Sequence, residues 1–347
     1  MNEETYSESE VVVYHDETGK IENTNLKGQI LLFIPKKITV EHKIPLFGNK
    51  KETYSSLDKV YERIKNIRKS HEVDNKFHFK EIHGKKWTKC DQAAKELVEI
   101  GTDCLRSKGN SYFSQPLFCK MGIIFYTTPY LNSYGGDNKE KKLRHHETLL
   151  RMLLKGTVHY SYDQNHKIKI LKIISDGNPY HRKLSEKRIF WRLIIDDLIG
   201  QSPLKDYVAI PQTSEIIPQS SEHKEFEEDT EEYIHANMLQ LADMLLGSVI
   251  HSCYKYKGIK TVLKEPAIGA MVVDKRGLIS FPVKEMIDKR KRGKGFRHSG
   301  HYKSFTLSKA KIMNGEWVFE SVLPKDDDTS DAGQIGFNDF FYPKSDR

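Results

Sequence analysis

An acidic pair follows the first apolar run of this sequence. Asp16 and Glu17 come directly after residues 11–15 and precede Thr18 and Gly19. Because side chains alternate across a strand, we expect Asp16 and Glu17 to point to opposite surfaces of a sheet, so only one of them can join a given site. An acidic pair before a glycine is also typical of a plain turn, and this alternative stays open.

Asp243 interrupts a strongly apolar helical pattern. Its neighbours at i−4, i+3, i+4 and i+7 are Leu239, Leu246, Gly247 and Ile250, so its carboxylate is expected to leave the helix alongside apolar groups. Burying an unpaired carboxylate is costly, and Asp243 therefore needs a partner. That partner is either a local hydrogen bond or ion pair, or a metal ion shared with other acids.

Further acids stand near the ends of predicted elements. Asp176 follows the alternating strand pattern of residues 167–174, and ligand groups in α/β sheets concentrate beyond the carboxyl ends of strands. A turn aspartate is the alternative. Glu81 lies in an aromatic segment just before a predicted helix and indicates nothing by itself. Asp196 and Asp197 close another predicted helix, where they either replace Asp176 or mark a solvated face.

The elements that must position these acids alternate along the chain. Thr88 and Asp91 have the spacing of a capping box. Apolar periodicity predicts strands and helices in the following order: strands at 11–15 and 29–34, helices at 55–68 and from 88, a strand at 118–126, a helix at 139–154, a strand at 167–174, a helix at 184–199, a strand at 207–217 and a helix at 233–254. This order predicts an α/β fold with a mixed sheet flanked by helices.

The pattern changes after residue 257 to short strands, predicted at 268–273, 278–283, 302–307 and 317–322. We therefore divide the chain into four parts: a flexible N-terminus at 1–10, a main α/β domain at 11–256, a β-rich basic extension at 257–323 and a flexible acidic tail at 324–347.

Positive charge is concentrated in one segment of this 347-residue chain of net charge +8. Such a segment suits a nucleic-acid backbone, although a solvated loop is the alternative. Its cationic residues are Lys289, Arg290, Lys291, Arg292, Lys294 and Arg297.

Composition also bounds the location of the protein. No apolar run approaches the ~20 residues that a membrane-spanning helix needs. The first ten residues are acidic and lack the order of a secretory signal, and the four cysteines are widely scattered. We expect no membrane association and a cytoplasmic location.

Taken together, these residues resemble the family called domain of unknown function 3800, whose members look like ribonuclease-H-like proteins. The resemblance rests on the run from Asp16 to Gly19, on segment 79–84, on Asp176, and above all on the Gln-Leu-Ala-Asp run that ends at Asp243. It spans residues 11 to about 255. The sequence departs from the family pattern at Thr18, in the long loop 218–233 and in its C-terminal extension.

The resemblance implies a ribonuclease-H-like fold in which separated acids meet at one end of the sheet. The catalytic and metal-ligating residues it implies are Asp16, Glu81, Asp176 and Asp243, with Asp16 as the bridging ligand. Hard oxygen ligands favour Mg²⁺ or Mn²⁺, and two such ions roughly 4 Å apart can activate water for attack on a phosphodiester. Glu17, Lys80 and Gln240 are auxiliary candidates, of which Lys80 and Gln240 would contact the phosphate or orient a ligand.

The leading hypothesis is a metal-dependent nuclease, or a related phosphodiester-transfer enzyme, acting on DNA or RNA. A place in a mobile-element or defence system is suggested by the resemblance alone. The alternative is a catalytically inactive nucleic-acid-binding or partner-binding module of the same fold. Retention of all four acids favours the enzyme, because a silent module has no electrostatic reason to cluster carboxylates beside a polyanion.

Overall fold

A mixed β-sheet runs through the part of the chain that the computed structural model describes. The described residues are 5–18, 26–44, 48–107, 112–127, 136–176, 203–255, 266–291, 300–313 and 316–322. The predicted helix at 184–199, and with it Asp196 and Asp197, lies outside them, as do the predicted tail at 324–347 and Arg292, Lys294 and Arg297 of the basic segment.

Nine strands form this sheet within the described residues. They are β1 (Thr5–Thr18), β2 (Leu26–Ile44), β3 (Gly48–Tyr54), β4 (Lys120–Thr127), β5 (His166–Asp176), β6 (Val208–Ala209), β7 (Glu215–Gln219), β8 (Phe305–Met313) and β9 (Glu316–Ser321). The helices are α1 (Ser56–His71), α2 (Lys89–Cys104), α3 (Asn138–Ser161), α4 (Glu231–Ile250) and α5 (Lys275–Lys291). The structure thus confirms the α/β class with a mixed sheet flanked by helices.

β1 is an inner strand of the sheet. The strand order is β6-β5-β1-β2-β4-β8-β9, with β3 paired to β2 and β7 paired to β5. β1 is antiparallel to β2 and parallel to β5. β2 and β4 are antiparallel, and β5 and β7 are parallel.

The two surfaces of β1 belong to two different apolar cores. Val12 and Tyr14 pack with residues of α1, α2, α4 and α5. Val11 and Val13 pack with residues of α3 on the other surface. Strand alternation therefore places Asp16 on the α4 side of the sheet and Glu17 on the α3 side.

Helix ends follow the local sequence signals. The Thr88 side chain accepts from the Asp91 N–H, and Asp91 Oδ2 accepts from the Thr88 N–H, which confirms the predicted capping box. Thr230 caps α4 by accepting from the Tyr233 N–H. Cys104, the last residue of α2, is buried in the core, and all four cysteines are free thiols. None of the helices that the structure describes is long and apolar enough to cross a membrane.

The prediction of two strands at 268–273 and 278–283 is wrong. Residues 278–283 lie within α5, and 268–273 contribute only an isolated bridge between Lys86 and Met271. The buried residues Ile279, Val283 and Ile287 recur every four positions, which is the spacing of one helical face. A short apolar run suits a strand as well as a helix, so the sequence alone predicts a strand at 278–283.

Three other boundaries also differ from the predictions. β8 and β9 overlap the strands predicted at 302–307 and 317–322 but begin and end at different residues. β8 pairs with β4 and β9 pairs with β8, so both strands continue the main sheet. β1 begins at Thr5, within the segment predicted to be flexible, because it pairs with β2 from that residue onward. The strand predicted at 207–217 is divided into β6 and β7.

Candidate carboxylate site

Asp16 and Asp176 lie side by side at the carboxyl ends of two parallel strands. His15 of β1 pairs with Ser175 of β5, so Asp16 and Asp176 are the next residues along the two strands. Asp176 is the last residue of β5 and pairs with Gln219 of β7. The sheet therefore brings together two acids that stand far apart in the sequence.

The Asp16 carboxyl group is buried among like charges. Its residue is 7% exposed, and its Oδ1 accepts from the Glu17 N–H at 2.8 Å. Burial, followed by the nearby carboxylates of Asp243 and Asp176, raises the pKa of Asp16 well above its ordinary value. A hydrogen bond between the Asp16 and Asp243 carboxyl groups acts in the same direction. The site thus favours a proton or a cation at Asp16.

Asp243 reaches this site from α4, and segment 76–79 holds it there. Its Oδ2 accepts from the Phe79 N–H at 2.7 Å and lies 2.9 Å from Nδ1 of His78. The hydrogen bond to Asp243 is the main cause of a raised pKa at His78. Asp243 therefore has the local partners that its position on an apolar helix required.

Asp176 is linked to a lysine through one hydroxyl group. Its Oδ2 accepts from Ser221 Oγ at 3.0 Å, and Lys76 Nζ donates to the same Ser221 Oγ at 2.5 Å. Lys76 thus lies one side chain away from the carboxylate cluster. Neither Lys76 nor Ser221 was a candidate from the sequence.

Segment 76–79 leads into a 3₁₀ turn that begins at Phe79, and its side chains alternate between buried and partly exposed. Phe77 and Phe79 are buried at 2% and 8% exposure, whereas Lys76 and His78 are partly exposed. Phe79 packs closely on Gly247, where a Cβ atom would overlap its ring. This alternation keeps both basic side chains near the acids, and the pattern of aromatic and basic residues was visible in the sequence.

Gln240 ties several elements to α4. It is 1% exposed, and its Oε1 accepts from Arg68 Nη2 at 2.7 Å and from the Phe77 N–H at 2.9 Å. Its Nε2 donates to the Ser221 carbonyl at 2.7 Å. Gln240 therefore positions the two segments that contact Asp243 and Asp176.

The remaining predicted residues lie apart from the cluster. Glu17 points to the α3 side, where its Oε1 lies 2.9 Å from His146 Nδ1, so only one member of the acidic pair joins the site, as expected. Glu81 ends a 3₁₀ turn and is exposed. The Lys80 side chain is exposed, and its carbonyl accepts from Arg276 Nη2 at 2.7 Å.

The basic segment is only partly described. Lys289 is exposed near the end of α5, and Arg290 and Lys291 belong to the same helix. α5 therefore includes three of the six cationic residues of the segment, in a region for which the sequence predicts short strands.

Chemically, the cluster offers carboxylate oxygens as acceptors and two basic side chains at its border. Within the described ranges, no group of three or more His, Cys, Asp or Glu side chains is arranged to hold a metal ion. Instead, one carboxylate oxygen of Asp176 and one of Asp243 accept hydrogen bonds from protein groups. The site therefore contains three acids, and hydrogen bonds from the protein hold two of them, Asp176 and Asp243, in place.

Comparison with known proteins finds no relative of this chain. No family model matches it. No curated protein and no solved structure matches it either.

Proposed function

We propose that this protein is a divalent-metal-dependent nuclease, or a related phosphodiester-transfer enzyme, of ribonuclease-H-like fold. One observation carries the proposal: the buried Asp16 carboxyl lies beside Asp176 at the ends of two parallel strands and is hydrogen-bonded to Asp243 of α4. Clustering buried carboxyl groups opposes folding unless a proton or cation offsets their charge. Perturbed acids of this kind are frequent at functional sites.

The strand arrangement supports the fold part of the proposal. β2 lies between β1 and β4 and is antiparallel to both, and β5 and β7 continue the sheet parallel to β1. In a ribonuclease-H-like protein, acids from the first strand, a later strand and a late helix meet at one sheet end. Asp16, Asp176 and Asp243 occupy these three kinds of position, in line with the resemblance to the domain of unknown function 3800 family.

The donor set fits Mg²⁺ or Mn²⁺ in chemical type, since both prefer carboxylate oxygens. Asp16, Asp176 and Asp243 would hold such an ion, and the bound ion would supply an activated water and neutralise phosphate charge. Within the described residues no group of three or more such side chains is arranged to hold a metal ion, so the support for metal binding is the chemical type of the donors.

The second candidate function is a catalytically inactive module that binds nucleic acid or a protein partner. The bonds from Phe79 to Asp243 and from Ser221 to Asp176 favour it, because they satisfy acid oxygens without a metal ion. In this function the acids shape the site but do no chemistry.

Cleavage of labelled single-stranded and duplex DNA and RNA tests the proposal. Wild type, Asp16→Asn and Asp243→Asn are compared in Mg²⁺, Mn²⁺ and EDTA. The matched control is Glu17→Gln, which changes the neighbouring acid on the other sheet surface. Cleavage that requires metal, disappears in both Asn variants and survives in the control supports the nuclease.

Binding without cleavage in any metal supports the inactive module instead. Circular dichroism of each variant separates a lost activity from a lost fold. Cleavage that persists in Asp16→Asn would remove the carboxylate cluster from the reaction.

A further inference from the structure

A cavity opens next to the carboxylate cluster. Its volume is about 350 Å³, within the range of sites for small molecules. Segment 75–82, the beginning of α2 and Glu222 surround it. The cavity is distinct from the space between the acids themselves, since none of Asp16, Asp176 and Asp243 lines it.

Two residues connect the cavity to the acids. His78 lines the cavity and lies 2.9 Å from Asp243 Oδ2. Lys76 also lines it and donates to Ser221, which donates to Asp176. A molecule in this cavity therefore lies one side chain away from two members of the cluster.

The walls combine an apolar surface with polar groups. Ile82, Ala94 and Met244 supply the apolar part, and Asn75 and Glu222 supply hydrogen-bonding groups. A nucleobase has the same combination, with an apolar face and a polar edge.

The cavity carries charged groups of both signs, namely Lys76 and the carboxylates of Glu81 and Glu222. Asp91 in its wall is paired with Lys275, whose Nζ lies 2.6 Å from Asp91 Oδ2. Lys76 has three N–H donors, so it can bind a phosphate oxygen while it keeps its bond to Ser221. The carboxylate of Glu222 can accept from an exocyclic amino group.

We infer that this cavity is a subsite for one unstacked nucleotide of a single strand, with Lys76 bound to its phosphate and the base against Ile82, the partly exposed apolar residue of the wall. The inference rests on the proposed function and adds a substrate class to it. A base that is paired and stacked in a duplex cannot enter an enclosed cavity, so the strand has to be single or locally opened.

Methyl NMR of the full chain tests the subsite without any cleavage. Methionine methyl groups are labelled with ¹³C, and nucleoside 5′-monophosphates are added in EDTA. The Met244 signal, assigned with Met244→Leu, is expected to shift on binding. Met286 lines a different cavity and is expected to stay unchanged. Equal shifts at both methionines, or none at Met244, overturn the subsite.

Affinity measurements with variants test the phosphate contact and the space for the base separately. Lys76→Gln is expected to weaken nucleotide binding by roughly 10-fold or more, since it removes a charge-assisted bond. The control Lys85→Gln changes an exposed lysine that does not line the cavity and is expected to bind like wild type. Ala94→Leu, which fills the cavity, is expected to abolish binding, and circular dichroism checks that it folds.

Two further probes separate the possible outcomes. Inorganic phosphate that binds as tightly as the nucleotides overturns the base subsite. A single-stranded oligonucleotide is expected to displace the nucleotide, whereas a blunt duplex is not, and equal displacement by both overturns the single-strand assignment. Because these measurements are made in EDTA, their failure leaves the metal-dependent cleavage experiment unaffected.

Discussion

The ring of Phe79 lies directly against Gly247, one helical turn beyond Asp243 on α4. The Phe79 N–H donates to Asp243 Oδ2 at 2.7 Å, so Phe79 contacts α4 twice, once by packing on Gly247 and once through the Asp243 carboxylate. The absence of a side chain at Gly247 is what allows this approach. Packing on α4 and the position of an acid are therefore coupled.

Gly247→Ala is expected to destabilise the protein and displace Phe79. The added Cβ overlaps the ring, and overpacking of this kind costs about 1–3 kcal/mol. Urea denaturation measures the loss. The control is Gly300→Ala, where the nearest atom lies 3.5 Å from the added Cβ and little change is expected. Equal stabilities of Gly247→Ala and wild type would contradict the packing argument.

Divalent metal is expected to stabilise the wild type. If Mn²⁺ binds the folded state alone, a concentration 100 times its Kd adds ~2.7 kcal/mol to the free energy of unfolding. Asp16→Asn is expected to lose most of this gain, because it removes the central carboxylate. Thermal denaturation with Mn²⁺ and with EDTA measures it. Glu17→Gln keeps the gain, and an equal gain in Asp16→Asn would argue against metal at this site.

Stability is expected to fall between about pH 6.5 and pH 4 because of buried histidines such as His235. Burial first, and Lys172 second, lower the pKa of His235 from 6.5 to about 4. In this range the unfolded state binds more protons than the folded state, so stability decreases as the pH falls. One such group contributes at most ~1.4 kcal/mol per pH unit.

The corresponding variant is His235→Gln, for which denaturant unfolding at several pH values is expected to give a shallower loss of stability. His83→Gln replaces an exposed histidine and serves as the control. The slope is compared rather than the absolute stability, since His235 also lies 2.8 Å from the Tyr14 hydroxyl. An unchanged slope would show that His235 is not responsible.

Nucleic-acid binding is expected to depend on the basic segment. Replacing Lys289, Arg290, Lys291 and Arg292 by Gln should weaken binding and flatten its salt dependence. Each lost phosphate contact lowers the slope of log K against log salt by roughly 0.7–0.9. Fluorescence anisotropy at several salt concentrations measures it.

A charge-matched variant provides the control for the basic segment. It replaces four cations on α3, at Lys139, Lys141, Lys142 and Arg144. If both variants flatten the slope equally, only net charge matters. If neither does, the basic segment has no contact with the backbone.

Part of this site could be predicted from the sequence. Strand alternation alone separates Asp16 from Glu17, and the structure places them on opposite surfaces. The apolar surroundings of Asp243 indicated a partnered carboxylate, which its bond with Phe79 confirms. Both arguments are local, because they depend on residues next to each acid in the chain or in the helix.

The rest depends on contacts between distant segments. Lys76 approaches Asp176 only through Ser221, and no local pattern links these three positions. The sequence predicts β8 and β9 as strands, but the pairing of β8 with β4 is set by tertiary packing. The sequence predicts a strand at 278–283, within α5, because a short apolar run suits a strand as well as a helix.

The parallel pairing of β1 with β5 has a consequence for synthesis. β2 is complete at Ile44, whereas β5 begins only at His166. At typical ribosomal rates the gap lasts on the order of 10 s. During that time the apolar β1 lacks one neighbour, and an open edge of this kind attracts other unfolded chains. The nascent β1–β2 hairpin is therefore the segment where aggregation during translation is expected to begin, and successful folding depends on protecting it until β5 emerges.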